Sequence, residues 1–198
     1  MKKFLPLIII AVLAIGMYAW VKGINNTAVT LNENIKESWG NVETAYERRN
    51  SLIGNLVNTV KGAADFEKST LEAVISARSK ATQTNIDPTN ITPEQLAAFS
   101  QAQSGVNNAL SRLLVSVERY PDLKANQNFI KLQDELVSTE NQILTARTRF
   151  NETVKPYNNH IKVFPNNLLA GILGFTEKGY FKASEGAENA PDVSFDFK

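Results

Sequence analysis

The stretch TPEQLAAFSQAQSGVNNALSRLLVSVERYP, residues 92–121, contains a helix start, a helix face and a helix stop. Thr92 offers an N-cap hydroxyl, and Pro93 suits the first helical position because the N–H it lacks would be unpaired there. Gln95 stands where the reciprocal partner of a capping box belongs. Leu96, Phe99, Gln103, Val106, Leu110, Leu113, Val117 and Tyr120 then recur at spacings of three and four, and Pro121 ends the run. This stretch is one amphipathic helix with a single face to bury.

The same period extends in both directions. From Thr27, the residues Leu31, Ile35, Ser38/Trp39, Val42 and Ala45/Tyr46 define a first helix ending near Arg49. A second is expected from Ser51 to Ala81, with Leu52, Leu56, Val60, Leu71, Val74 and Ala81 inward. Asn50-Ser51 is good cap chemistry and Gly54 lowers helix propensity, so the break is placed near Asn50, with Lys61-Gly62 as the alternative. Residues 84–90 (TNIDPTN) form a connector. A further helix runs from about Asn126 to Ile161 with Phe129, Leu132, Leu136, Ile143, Phe150, Val154 and Tyr157 inward, and Pro156 predicts a kink or early end. The stripes lie nearer a period of 3.5 than 3.6, which favours an antiparallel four-helix bundle over residues 27–164. The fold class is all-α.

Met1-Lys2-Lys3 precedes an uninterrupted apolar run from Phe4 to Val21, closed by Lys22. Eighteen residues give about 27 Å of helix, close to a hydrocarbon core of roughly 30 Å. Ala14-Ile15-Gly16 would serve as a signal-peptidase site, but the run continues past it to Tyr18 and Trp20, rings suited to the headgroup level. Residues 4–22 are therefore read as an uncleaved transmembrane anchor, with Phe4 to Val21 as the bilayer contact. Lys2 and Lys3 before the span, against Lys22 after it, make residues 1–3 a short cytoplasmic N-terminus and send the bulk of the chain outside.

The rest is the composition of one soluble domain. Twenty-one basic and 20 acidic residues leave a net charge of +1, which gives no field for nucleic acid. Cys is absent, which removes disulfides, thiolate metal sites and thiol nucleophiles. His160 is the only histidine, too few for the paired Glu-x-x-His motifs of a di-iron bundle. Gly171-Ile172-Leu173-Gly174 lacks the Lys and hydroxyl residue of a phosphate loop. No enzymatic activity, cofactor or metal is expected.

Charge does fall where the heptads call for hydrocarbon. Arg49, Glu67, Arg78, Glu140 and Arg147, with Asn151 nearby, lie on or beside the apolar stripes. Buried charges must pair, so these residues are expected to form a polar layer that sets register between helices. Alternatively, the arginines could line a site for an anionic or zwitterionic ligand or a lipid headgroup. Residues 69–81 (STLEAVISARSKA) and 138–150 (STENQILTARTRF) align without gaps, as a duplicated helical hairpin would give. After Pro165 the pattern changes. Residues 165–198 comprise a short apolar segment, Leu168 to Phe175, and a tail ending Val193-Ser194-Phe195-Asp196-Phe197 that alternates with period two. This part is expected to lie extended on or beside the bundle, with Phe175, Phe181, Phe195 and Phe197 as possible contacts for an envelope-protein partner, or with its apolar part dipping into the bilayer surface.

Several runs together resemble the LemA family: Glu47-Arg48-Arg49 to Gly62, Phe66 to Glu72, Ala77-Arg78, Glu118 to Asn126, Leu132 to Leu136, Glu140-Asn141, Ala146-Arg147, Phe150-Asn151, Tyr157-Asn158, Phe164-Pro165, Gly174-Phe175 and Tyr180-Phe181. The resemblance covers nearly the whole chain. It implies a bacterial membrane protein with one N-terminal transmembrane helix, an antiparallel four-helix domain and no established enzymatic activity. It also implies an N-terminus outside the cell, opposite to the lysine reading. Gly54 departs from the proline usual in the family, which fits a helix start near Asn50. The function expected is that of a membrane-anchored scaffold or adaptor in the cell envelope, with ligand sensing as the alternative.

Overall fold

The computed structural model describes residues 4–62 and 66–183. Its elements are α1 (Leu5–Lys61), α2 (Lys68–Gln83), α3 (Pro93–Val117), α4 (Pro121–Lys124), α5 (Gln127–Lys162) and α6 (Asn167–Ala170). No strand occurs among the described residues. Helix α1 packs along α5, and α2 packs along α3, so the closest packing joins the first half of the bundle to the second rather than the two helices of each hairpin. The expectation of four long helices in an antiparallel bundle is met.

The start signal at Thr92 acts as read. Thr92 Oγ1 accepts from the Gln95 N–H at 3.2 Å, and Gln95 Oε1 accepts from the Thr92 N–H at 3.2 Å. Asn126 Oδ1 caps α5 by accepting from the N–H groups of Asn128 at 2.9 Å and Phe129 at 3.2 Å. Pro156 lies inside α5 without ending it, and the helix continues to Lys162. Pro156 and Glu152 are both exposed, so water can satisfy the Glu152 carbonyl that Pro156 leaves without an N–H.

One boundary is corrected. The chain does not break at Asn50. Helix α1 runs without interruption to Lys61, and the turn falls at Gly62, so Leu52, Leu56 and Val60 belong to the first helix. Asn50 Oδ1 is buried and has no hydrogen-bond partner, so its capping chemistry is unused. Leu52, Ile53, Leu56, Val57 and Val60 are all buried and continue the face of Trp39, Val42 and Tyr46. Each such side chain contributes about 1.5–3 kcal/mol, more than the roughly 1 kcal/mol that Gly54 costs a helix. The apolar run 4–21 and the first bundle helix are likewise one rod, with no linker through Gly23 to Asn26. Its 57 residues make it about 85 Å long.

The core has two parts along this rod. One gathers Trp39, Phe99, Phe150, Val154, Tyr157 and Phe181, and the other Leu56, Val60, Val74, Leu113, Phe129 and Leu136. After α6 the chain runs without regular structure to residue 183 and lies along the bundle beside α5, covering the first part. Where this segment crosses the α2–α3 connector, the Gly179 N–H donates to the Ile91 carbonyl at 3.1 Å. A Cβ at Gly179 would stand 2.9 Å from Pro93 Cα and 3.1 Å from the Thr92 carbonyl oxygen. Only glycine allows this approach without moving backbone. Gly179→Ala is expected to destabilise the protein by about 1–3 kcal/mol, read as a lower urea midpoint of the full chain in detergent. An unchanged midpoint would contradict the close crossing.

Candidate functional site

The polar residues of the stripes separate into distinct settings. Arg49, on α1, is 1% exposed and lies between the two parts of the core. Its Nη1 donates to Asn107 Oδ1 at 2.8 Å and to Glu140 Oε1 at 3.0 Å, and its Nη2 donates to Gln103 Oε1. The guanidinium also stands 4.8 Å from the Tyr46 ring centroid. Gln103 and Asn107 are neighbours at i, i+4 on α3, and Glu140 is on α5, so one side chain joins three helices. Burial raises the Tyr46 pKa above its ordinary value, against the opposing pull of Arg147 and Arg49. The Glu140 side chain remains 41% exposed, so its charge stays hydrated while that of Arg49 depends on its partners. An incoming anion would have to displace those acceptors from Arg49. Arg49, Gln103, Asn107 and Glu140 thus form one bonded cluster, in which the Arg49 Nε is left buried without a hydrogen-bond partner.

Glu67 lies elsewhere. It is the N-cap residue of α2 at the far end of the bundle, with its side chain 46% exposed and 3.0 Å from Arg119. The Ser69 hydroxyl donates to it at 2.8 Å and, together with Arg119, holds its carboxyl below the usual range. Arg78 is half-buried on α2, with its guanidinium 3.5–3.6 Å from where a Gly54 Cβ would stand. Gly54 is therefore a helix-interior contact point for Arg78 rather than a first-turn residue.

Arg147 and Asn151 act on the C-terminal segment. Asn151 Nδ2 donates to the Phe181 carbonyl and Oδ1 accepts from the Phe181 N–H, each at 2.9 Å. Seven residues on, Asn158 makes the same pair of bonds with Lys178, again at 2.9 Å. Two asparagines one heptad apart on α5 thus clasp an extended backbone as a neighbouring strand would. Arg147 Nη2 donates to the Lys182 carbonyl at 2.9 Å, and its guanidinium lies 4.7 Å from the Phe181 ring centroid.

Phe181 was expected as a partner contact, and the structure corrects this. It is 6% exposed, 5.5 Å from Phe150 and 6.2 Å from Trp39 in a stacked arrangement, so its ring is committed to the core. Phe175 is half-buried against the same cluster. Phe195 and Phe197 lie outside the described residues. Lys178, which sequence reasoning passed over, is 4% exposed and donates through Nζ to the Thr89 carbonyl at 2.8 Å. Burial pulls its pKa below the ordinary lysine value. Beside the clasp, Thr148, Asn151, Glu152, Lys155, Asn159 and Tyr180 line a surface groove of about 510 Å³.

Fold and site together define a class: an all-α bundle built on a helix whose first part is long and apolar enough to cross a bilayer, with interior polar groups that hold its elements together. The chain belongs to the LemA family, whose family model matches residues 38–195. It is similar to Magnetosome protein MamQ 2 of Paramagnetospirillum magneticum, with 30% identity over 174 residues, 79% of this chain and 64% of that protein. Magnetosome protein MamQ of Magnetospirillum gryphiswaldense is 30% identical over 173 residues, with the same shares. Protein LemA of Metamycoplasma hominis is 26% identical over 179 residues, 90% of this chain and 78% of that protein. The chain thus spans a little under two thirds of the length of the MamQ proteins.

Two sets of variants follow from this geometry. Glu140→Ala should cost about 3 kcal/mol, because it strips the charged partner from a buried guanidinium. Arg49→Met should cost about 1–2 kcal/mol, chiefly from Gln103 left unpaired, and the double variant should be no worse than Arg49→Met alone. Strict additivity in urea unfolding would contradict the pairing. Asn158→Ala leaves a buried N–H and carbonyl without partners, so trypsin should cut more readily at Lys178 and Lys182 while far-UV helicity is retained. Unchanged resistance would refute the clasp.

Proposed function

We propose that this protein is a non-enzymatic, membrane-anchored scaffold of the bacterial cell envelope. Its apolar span sits in the cytoplasmic membrane, and its bundle stands on the extracytoplasmic side, the orientation favoured by Lys2 and Lys3. The observation that carries the reading is a stripe on the outer face of α5. Ile130, Val137 and Leu144 recur at heptad spacing with 43%, 64% and 62% of their surfaces exposed, one register position from the buried row Phe129, Leu136 and Ile143. Apolar side chains aligned over two heptads on a rigid helix are what a partner helix packs against. Lower on the same row stand Asn151 and Asn158, which already hold the protein's own C-terminal segment. The row is therefore a binding rail, occupied near the membrane and open further out.

The charged side chains support the same reading. Arg49 and Glu140 pair with each other, Arg147 holds backbone, and at the surface Glu67 pairs with Arg119. These charges serve architecture.

A photo-crosslinking residue at Val137 or Leu144 in living cells is expected to trap one discrete envelope protein. The adduct should vanish when the other position is changed to Asp, and a probe at exposed Lys131 should give none. The same adduct pattern at all three positions, or none at any, would end the proposal for this face.

A further inference from the structure

The fourteen residues 163–176 (VFPNNLLAGILGFT) carry no charge, and the ionised residues flanking them, Lys162 and Glu177, pair with each other at 2.5 Å. The ion pair closes the neck of a compact loop. Within it, the Ala170 N–H donates to the Asn166 carbonyl at 2.9 Å, the Leu173 N–H to Leu169 at 2.9 Å and the Phe175 N–H to Ala170 at 2.9 Å. Ala170 is 5% exposed and fastened to the core, so the loop has a fixed inner side. Its outer side is apolar: Phe164, Leu168 and Ile172 are 79%, 60% and 80% exposed and follow one another at intervals of four, with Val163 at 51% beside them. Four exposed aliphatic or aromatic side chains on one short loop form a patch that a soluble surface would bury.

The register of α5 against α1 says where this patch is. Glu140 meets Arg49, Phe150 meets Trp39 at 5.6 Å, and His160 Nε2 donates to the Ile24 carbonyl at 3.0 Å. Each step toward the end of α5 thus moves down α1 toward the apolar run. Ile24 is three residues past Val21, about 4.5 Å beyond the span. The chain then continues in the same direction past Lys162 into the uncharged loop. Asn166 Nδ2 donates to the His160 carbonyl at 3.0 Å, which fastens the loop to that end of the bundle. The patch therefore lies at the level where the span leaves the bilayer, where exposure along the span falls to 37% at Trp20 and Val21 is half-buried.

We propose that residues 163–172 are a second membrane contact, a loop that seats Val163, Phe164, Leu168 and Ile172 in the interfacial zone of the bilayer crossed by α1. The inference rests on the anchor reading given above. The occupant is lipid rather than protein because the patch follows the spanning segment in level, carries no charge and bonds many of its backbone N–H groups internally, among them those of Leu168, Ala170, Leu173 and Phe175, as a low-water setting favours. Side chains at that boundary reach about 5–10 Å into it. Two points of attachment, span and loop, would fix the tilt and rotation of the bundle on the membrane, which a lone span leaves free.

Because the chain has no cysteine, single labels are unambiguous. The full chain is reconstituted into phosphatidylcholine–phosphatidylglycerol vesicles with an environment-sensitive fluorophore at Leu168→Cys, Ile172→Cys, Tyr18→Cys or Val137→Cys. Lipids carrying a quencher near the headgroup are then added. The expected result is a blue-shifted, lipid-quenched signal at positions 168, 172 and 18, and a water-like, unquenched signal at position 137. Quenching at 18 but not at 168 and 172 would overturn the loop contact and leave the anchor standing, whereas its absence at 18 would overturn the anchor itself. A blue shift at 168 and 172 without lipid quenching would assign the patch to a protein partner and also overturn the proposal. The labelled positions are at least 60% exposed, so the variants should fold, and matching far-UV spectra check this.

Discussion

The antiparallel seam between α1 and α5 is the constraint from which the rest of the architecture follows. Three contacts fix its register: Arg49 with Glu140, Trp39 with Phe150, and Ile24 with His160. A hydrophobic seam alone would tolerate sliding by a turn, since one aliphatic row resembles the next. A buried guanidinium with acceptors on two other helices would not, because moving it one turn would leave a charge unpaired in the interior. Register then settles the placement of everything on α5, from its asparagines to the loop beyond Lys162. Arg49 also lies where the two parts of the core meet, so the element that fixes register separates an aromatic-rich core near the membrane from a mainly aliphatic one beyond it.

The C-terminal segment is a structural element that happens to lack regular secondary structure. An extended backbone crossing helices leaves its N–H and carbonyl groups without a ladder, and burying them unpaired would cost about 1–3 kcal/mol each. Primary amides solve this, because one asparagine presents both a donor and an acceptor at strand-like spacing. The heptad separation of Asn151 and Asn158 spans about 10.5 Å along α5, and the three residues from Lys178 to Phe181 span about 10 Å when extended. The match in length is why clasp and tail keep step. Phe181 then enters a space bounded by Trp39, Phe99 and Phe150, so the bundle is closed by a residue far from it in sequence.

Local signals were legible in the sequence and long-range consequences were not. The Thr92 capping box, the start of α5 near Asn126 and the inward rows of α3 and α5 follow from short-range chemistry, and each stands where it was read. The Asn50 break failed because capping competes with burial, and five buried apolar side chains beyond it outweighed one good cap. That error propagated. A stripe drawn through residues 62–67 as though helical kept Glu67 in phase with Leu71, whereas the helix stops at Lys61 and restarts at Lys68, which resets the phase. Arg49 and Glu140 were visible as charges on apolar rows, and Gln103 was equally visible on its row, though its role as an acceptor was not. Asn158 gave no warning, since its partner is backbone and backbone leaves no trace in a residue pattern.

A rod continuous from span to bundle also carries a mechanical consequence. From Ile24 to Lys61 the helix extends about 56 Å with no proline and no interruption. Transmembrane helices tilt by about 20° on average, and a rigid arm of that length would carry its far end sideways by about 19 Å at such a tilt. A hinge between span and bundle would absorb this motion, but a single helix transmits it. The position of the Ile130–Val137–Leu144 row is therefore coupled to how the first turns sit in lipid. In such a molecule, stiffness substitutes for a linker, and whatever sets the angle of α1 at the membrane sets the reach of the surface it presents.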